Sequence, residues 1–277
     1  MRFQKIYVEI SNLCNLKCSF CPGTKRPGRR MTEEEFSALL PKLRPYTDFL
    51  YFHIMGEPLC HPDLEVFLQL AHGYGFKVIL TTNGTLLARQ QKLLLSSPAL
   101  HKINISLHAV EANDLAVPFR QYLEDCCRFG QAADGNKLVV YRLWNQGGAN
   151  TLNTEILTAL EQFFPNPWDT ARQGNRIGQR VFLEYGDKFD WPDLSAQEDC
   201  GSLFCYGLRD QLGILWDGTV VPCSLDHEGD LALGNLFRQE LDAILNSPRA
   251  RAIYDGFSRK EAVEPLCRRC GYARRFR

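Results

Sequence analysis

The sequence has no stretch that approaches the roughly 18 consecutive apolar residues of a membrane-crossing helix. Its opening, MRFQKIYVEIS, alternates like a strand and lacks the apolar segment of a secretory signal. Membrane insertion and export are therefore not expected, and the chain is expected in the cytoplasm. An excess of charge of one sign is also missing. The 32 Lys and Arg residues balance 32 Asp and Glu, so the formal net charge is zero. That leaves no bulk attraction to nucleic acid or to an anionic membrane, and no motif interleaves aromatic with basic residues to bind nucleic acid. There is no internal repeat and no low-complexity linker. What remains is a chain of 277 residues, 45% hydrophobic, long enough for one large domain or for one domain with a small appendage.

Cysteine is abundant. Eleven cysteines in a reducing compartment do not read as a disulfide framework. Their grouping suggests metal: Cys14, Cys18 and Cys21 near the start, then Cys200, Cys205 and Cys223, then Cys267 and Cys270 near the end. Cys60, Cys126 and Cys127 stand apart. The last two are adjacent on a predicted helix and point about 100 degrees apart, so they read as core residues.

Strand-like and helix-like runs alternate over the first two-thirds. Strands are predicted over 5–10, 49–54, 76–82, 102–107, 137–144 and 180–184. Helices are predicted from Thr32 to about Leu40, before Pro41, and over 63–74, 86–95, 115–129 and 154–164. Repeated strand–helix units imply parallel pairing with the helices outside, and six of them suggest an open, partial barrel. In such sheets ligands gather at the carboxyl ends of the strands. After about Asp187 the pattern changes. Segments 211–215 and 219–221 flank Trp216-Asp217-Gly218, a hairpin signal, and a helical stretch follows from about Gln239. This reads as a small α+β domain, 188–277, after a barrel over 1–187. It has too few apolar residues to fold without a staple.

Cys14-Asn-Leu-Lys-Cys18-Ser-Phe-Cys21 follows the first strand directly. Three thiolates on one tight loop suit three irons of a four-iron cluster, whose usual complement is four cysteines. The open position is the informative feature, because an open metal can bind substrate. The competing reading is a zinc site, although zinc favours paired cysteines and four ligands. The CxxxCxxC loop, with Phe20 before its last cysteine, resembles that of the radical SAM (S-adenosylmethionine) superfamily, and the resemblance extends over essentially the whole chain. It implies an α/β fold with a partial (β/α)6 barrel. It also implies a [4Fe-4S] cluster on Cys14, Cys18 and Cys21 whose open iron chelates SAM, and an enzyme that makes a 5′-deoxyadenosyl radical and abstracts hydrogen from a substrate. Cofactors would carry that chemistry, while the protein supplies orientation and a dry site.

Other strand ends bear on the same resemblance. His53-Ile54-Met55-Gly56-Glu57-Pro58 resembles the family's GGEP motif, with Met55 in place of the first glycine. Gly56 would let the backbone approach SAM, and Glu57 would accept hydrogen bonds from its ammonium group. Ser106 would lie near the SAM carboxylate or ribose, and His108 would touch the ribose or act on substrate, unless it is only a hydrogen-bonded structural group. Arg142 would pair with the carboxylate, for which a guanidinium fork is well shaped, with Asn145 close by. Thr82, Asn83 and Gly84 need be no more than a turn.

Cys205, the GxxxxC segment Gly218–Cys223, and the closing pair Cys267 and Cys270 resemble the twitch domain, a shortened relative of the SPASM domain. Four thiolates would hold one auxiliary [4Fe-4S] cluster, with Cys200 a spare for Cys205. A structural zinc site would staple the domain equally well. Lys25, Arg26, Arg29, Arg30 and the Arg-rich C-terminus form a solvated face or dock an acidic electron donor such as flavodoxin or ferredoxin. The substrate is expected to be a peptide, protein or small molecule. Since the first strand begins almost at Met1, no leader-binding domain is expected before it. The remaining alternatives are an RNA-modifying member of the family and a zinc-stapled binding protein without chemistry.

Overall fold

The computed structural model describes residues 2–113, 117–198 and 203–276. Strand and helix alternate as β1 (Lys5–Val8), α1 (Glu33–Leu43), β2 (Phe49–Phe52), α2 (Leu64–Gly73), β3 (Lys77–Thr82), α3 (Leu87–Ser96), β4 (Leu100–Ser106), α4 (Phe119–Ala133), β5 (Leu138–Gln146) and α5 (Asn153–Phe163). A short pair, β6 (Asp169–Ala171) and β7 (Gly174–Arg176), precedes β8 (Val181–Asp187). The remainder holds β9 (Gln211–Ile214), β10 (Thr219–Val221), β11 (Gly234–Asn235), α6 (Leu241–Leu245), α7 (Pro248–Ser258) and α8 (Pro265–Arg268).

The parallel core of the sheet runs β1-β2-β3-β4-β5-β8, each strand joined to the next through a helical crossover. This is the expected α/β partial barrel. One face of its strands is apolar: Ile6, Val8, Leu50, Phe52, Val78, Leu80, Ile103, Ile105, Tyr141 and Leu183 are buried. They pack beneath the helices with residues such as Phe36, Leu40, Phe67, Tyr122, Phe129 and Leu160. Period-2 alternation then turns Tyr7, Tyr51, Arg142, Trp144 and Glu184 to the concave interior, where they are half-buried. Cys126 and Cys127 lie in the core, as expected.

Three differences from the sequence reading have local causes. Helix α1 starts at a capping box, with Glu35 N donating to Thr32 Oγ1 and Thr32 N donating to Glu35 Oε2. It then runs through Pro41 to Leu43 instead of stopping at Leu40. In the last turn a proline forgoes one intrahelical hydrogen bond, and the buried Leu39, Leu40 and Leu43 hold the turn in place. Helix α4 begins at Phe119, later than residue 115, because Pro118 is a poor interior residue but a good entry to a helix. The hairpin β6–β7 was not foreseen; it adds two antiparallel strands to the edge of β8.

The C-terminal hairpin forms as expected, with β9 and β10 antiparallel. Its position is new. Strand β9 pairs in parallel with β1, Lys5↔Gln211 through Val8↔Ile214, so a single eleven-stranded sheet runs from β11 to β6.

Candidate active site

The cysteine loop leaves the carboxyl end of β1 and is tied shut at its base. Asn12 N donates to Arg29 O (3.2 Å), Arg29 N to Asn12 Oδ1 (2.7 Å) and Asn12 Nδ2 to Pro27 O (2.9 Å). Beneath this neck Glu9 is buried and accepts both arms of the Arg26 guanidinium, at 2.8 and 2.6 Å, together with Trp216 N at 3.2 Å. Burial raises the Glu9 pKa, and Arg26 pulls against that rise. Arg26 is therefore committed to the interior. Arg29 is exposed but pairs with Glu35 at 2.6 Å and lies over the Trp216 ring; Lys25 and Arg30 are the other exposed cations of the expected docking stretch.

Cys14 and Cys21 are exposed and Cys18 is half-buried; none is in a disulfide. Two asparagines brace the loop, Asn83 just after β3 and Asn113 at the end of the helical turn Leu107–Ala112 that follows β4. Asn113 Nδ2 donates to Cys18 Sγ (3.1 Å) while Asn113 Oδ1 accepts Lys17 N (2.9 Å). Asn83 Nδ2 reaches Asn15 Oδ1 at 2.9 Å and lies 4.0 Å from Cys14 Sγ, and Leu16 N donates to Cys14 Sγ at 3.4 Å. Donors aimed at sulfur favour thiolate. Desolvation nonetheless pushes the Cys14 thiol up to about 11 and raises Cys18 as well. Thiolates here need a cation among them, and an iron–sulfur cluster supplies one, so the donor set fits that group. Asn15, Asn83 and Asn113 were not recognisable as braces in the sequence, since each meets its partner across a long stretch of chain.

Gly56 takes φ +78, and a Cβ there would press on the carbonyl oxygens of Ser11 and Leu13; only glycine fits this close crossing of two loops. Glu57 N then donates to Leu13 O at 2.9 Å. The Glu57 carboxylate is buried, with Oε1 accepting Leu59 N (2.9 Å) and Oε2 accepting Asn83 N (2.8 Å). Desolvation raises its pKa to about 7 against the pull of those two amides. The Thr82 side chain is a third hydrogen-bond partner that pulls the same way, so of the roughly four acceptor sites of a carboxylate one remains for a further donor.

Across the mouth, Phe20 packs on His108 with ring centroids 5.1 Å apart. His108 Nδ1 lies 3.0 Å from Arg142 O, and burial lowers the pKa of the imidazole, which favours its neutral form. Ser106 ends β4 opposite Arg142 in the ladder and is half-buried. Arg142 turns into the barrel, 3.6 Å from Glu184 and over the Trp144 ring at 4.4 Å. Asn145 is occupied elsewhere, because its Nδ2 donates to Ala149 O and Asn153 Oδ1, both at 2.9 Å. The structure thus gathers Phe20, Gly56, Glu57, Ser106 and His108 around the cysteine loop. It points Arg142 below them and ties Asn145, near the end of β5, to the β5–α5 connection.

The second cysteine group also comes together. Cys205 precedes β9 and accepts Gly207 N at 3.4 Å, Cys223 follows β10, and Cys267 and Cys270 lie on and just after α8. Burial pushes the Cys223 thiol well up, with further contributions from Cys205, Cys267 and Cys270, which places all four in one locality. Among the described residues no three His, Cys, Asp or Glu side chains close on a point as ligands of a single metal ion do. Cys200 lies outside the described residues. Just beyond Cys270, the Arg275 guanidinium sits among Trp144, Phe189 and Tyr272 and donates to Asp187 O, closing the C-terminal segment onto the barrel rim.

Residues 8–131 match the model of the radical SAM superfamily, and residues 205–271 match that of the SPASM iron–sulfur cluster-binding domain. Among curated proteins, a probable GTP 3′,8-cyclase of Methanocella arvoryzae is 33% identical over 113 residues, 40% of this chain and 36% of that protein. An Fe-coproporphyrin III synthase of Methanosarcina barkeri is 30% identical over 110 residues, 38% of this chain and 28% of that protein. An S-adenosyl-L-methionine-dependent 2-deoxy-scyllo-inosamine dehydrogenase of Niallia circulans is 26% identical over 114 residues, 39% of this chain and 46% of that protein. The chain therefore spans only a minor part of the length of these relatives. Among solved structures, BtrN in complex with AdoMet and 2-DOIA superposes with a TM-score of 0.63 at 18% identity, covering 98% of this chain and 94% of that one. Streptococcus suis SuiB bound to S-adenosylmethionine superposes with a TM-score of 0.64 at 15% identity, covering 91% and 68%. At these identities the likeness is one of fold. No helix among the described residues is long and apolar enough to cross a membrane.

Proposed function

We propose that this chain, a radical SAM enzyme with a C-terminal SPASM-type iron–sulfur domain, abstracts a hydrogen atom from a substrate held in its barrel. When bound, the cluster and SAM supply an electron and a 5′-deoxyadenosyl radical. The observation that carries the reading is the cysteine loop. Cys14, Cys18 and Cys21 stand at CxxxCxxC spacing beyond the carboxyl end of β1 and are braced by Asn83, just after β3, and Asn113, which caps the short helical turn after β4.

The chain's own residues divide the remaining work. Gly56 lets the GEP turn lie against the cysteine loop, and Glu57 joins that turn to the end of β3. A SAM ammonium group would meet the acceptor site that Leu59, Asn83 and Thr82 leave on Glu57. Phe20 and His108 would flank the adenosine, and Ser106 would offer a hydroxyl beside it. Arg142 lies lower in the barrel and suits the substrate or the far end of SAM. Cys205, Cys223, Cys267 and Cys270 would saturate the auxiliary cluster, leaving it electron transfer with the substrate radical. We divide the chain into a barrel, 1–187, and an auxiliary module, 188–277. An acidic flavodoxin- or ferredoxin-like donor would meet Lys25 and Arg30 beside the loop. The names of the relatives span a cyclase, a porphyrin synthase and a dehydrogenase, so the reaction on the substrate is set by the barrel interior and not by the shared loop.

The test is a variant with Cys14, Cys18 and Cys21 replaced by alanine, incubated anaerobically with SAM and dithionite. It should form no 5′-deoxyadenosine while retaining about four irons in the C-terminal module. Undiminished 5′-deoxyadenosine would refute the assignment of the loop, and loss of all iron would refute that of the auxiliary cysteines.

A further inference from the structure

The lower barrel carries charges that the reaction at its mouth does not use. Lys5 opens β1, and Lys102 lies near the start of β4. The ladder Tyr7↔Tyr51, Tyr51↔Ile79 and Ile79↔Lys102 sets Lys102 level with Tyr7, and Lys5 stands one interior position below Tyr7 on β1. Both lysines face the concave interior and are half-buried. With Phe49, Tyr51, Arg2 and Asp48 they line a cavity of about 490 Å³ at the amino ends of the strands.

The other charges there are largely spoken for. Arg2 pairs with Asp48 at 2.6 Å, and Arg142 faces Glu184 at 3.6 Å. Burial, and then the cations Lys77, Arg180, Lys102 and Lys137, lower the His101 pKa and favour its neutral form. The carboxylates acting on Lys5 are Asp210 and Glu184, and on Lys102 Glu184 alone. Among the described residues neither ammonium group has an ion-pair or hydrogen-bond partner. Desolvation and the nearby Arg142 both press against their charge. Two half-buried cations lining one cavity are less favourable alone than around an anion.

We propose that Lys5 and Lys102 bind an anionic group of the substrate, a carboxylate or phosphate, on the floor of the barrel. The inference rests on the reading of the chain as an enzyme whose substrate occupies the barrel. Lys102 and Ser106 are four residues apart on β4, about 13 Å at the rise of a strand. The substrate would therefore carry its acidic group about that far from the carbon that reacts at the mouth.

The test is calorimetric titration of the iron-loaded protein at low salt, without SAM, using inorganic pyrophosphate in one arm and glutarate in the other. At least one anion should bind, and the one bound more tightly identifies the acid. Binding should weaken at least about tenfold in K5M/K102M, the worth of one charge-assisted hydrogen bond. It should persist within about threefold in K5R/K102R and fall as salt rises. Failure of both anions to bind wild type would overturn the proposal. So would equal binding by wild type and K5M/K102M, or, if that variant does not fold, an unchanged affinity in K102M. SAM cleavage by wild type is measured separately, so the reading of the active site and the anion site can fail independently.

Discussion

Replacing Glu57 with glutamine separates two roles that the sequence alone could not distinguish. In the structure both oxygens are already held by backbone amides, Leu59 N at 2.9 Å and Asn83 N at 2.8 Å. A glutamine keeps one acceptor and turns its NH2 toward the other amide, leaving that donor buried and unpaired, at about 1–3 kcal/mol. The carboxylate has a compensating liability. Its pKa is raised from 4.5 to about 7, mainly by desolvation. The folded state therefore binds the proton more tightly than the unfolded chain. The associated stability is fully present below pH 4.5 and is lost as pH rises through 7. Between pH 5 and pH 8 the wild type should lose roughly 2–3 kcal/mol by this linkage, and Glu57→Gln should not. The stability difference between the two proteins should thus be largest near pH 5 and shrink, or reverse, by pH 8. Anaerobic urea unfolding at matched iron content measures it, and comparing both proteins at each pH cancels the acid sensitivity of the clusters. A difference that stays constant from pH 5 to pH 8 would show that the buried carboxyl does not titrate in this window. A Glu57→Ala variant as stable as wild type but weak for SAM would show that the carboxylate serves the ligand and not the fold.

Glu9→Gln leaves Arg26 buried without its full counter-charge, and breaking a buried pair of this kind should lower stability by about 3–5 kcal/mol; a loss under about 1 kcal/mol in denaturant unfolding would show the pair to be dispensable. Gly56→Ala forces a left-handed residue against the Ser11 and Leu13 carbonyls. It should lower stability by about 2–4 kcal/mol and reduce iron at the loop but not in the C-terminal module, as read by iron counts in the background lacking each cysteine set; unchanged iron and melting would refute the close crossing.

What the sequence revealed and what it hid follow from the range of the interactions. The six parallel strands and their helices are written in local periodicity, and the cysteine loop in a spacing of eight residues, so both were legible. The hairpin β6–β7 was not, because Asp169-Thr-Ala and Gly174-Asn-Arg have no apolar face and lie half in solvent on an edge. Asn145 looked like a site residue because it ends a strand, but its amide is taken by Ala149 and Asn153. The double commitment of Glu57 depends on Asn83, 26 residues away, and the bracing of Cys18 on Asn113, 95 residues away. Pairings of that range leave no periodic trace in a single sequence.

The same limit hid the place of β9. Read locally, residues after 187 look like an appendage that must be stapled by metal. In the fold, β9 covers the edge of β1 that an open barrel would otherwise leave unpaired. The turn after β9 brings Trp216 N to Glu9, the residue that also holds Arg26 beneath the cysteine loop. Cys223, at the end of the same hairpin, belongs to the second thiol group. One buried carboxylate therefore touches the loop that bears the first cluster site and the hairpin that bears part of the second. Movement of either segment must be accommodated by Glu9, which is buried and cannot turn to solvent for a lost partner. The C-terminal hairpin is in this sense part of the support of the proposed active site. Its contribution extends beyond its own thiol to the rigidity of the loop on which Cys14, Cys18 and Cys21 stand.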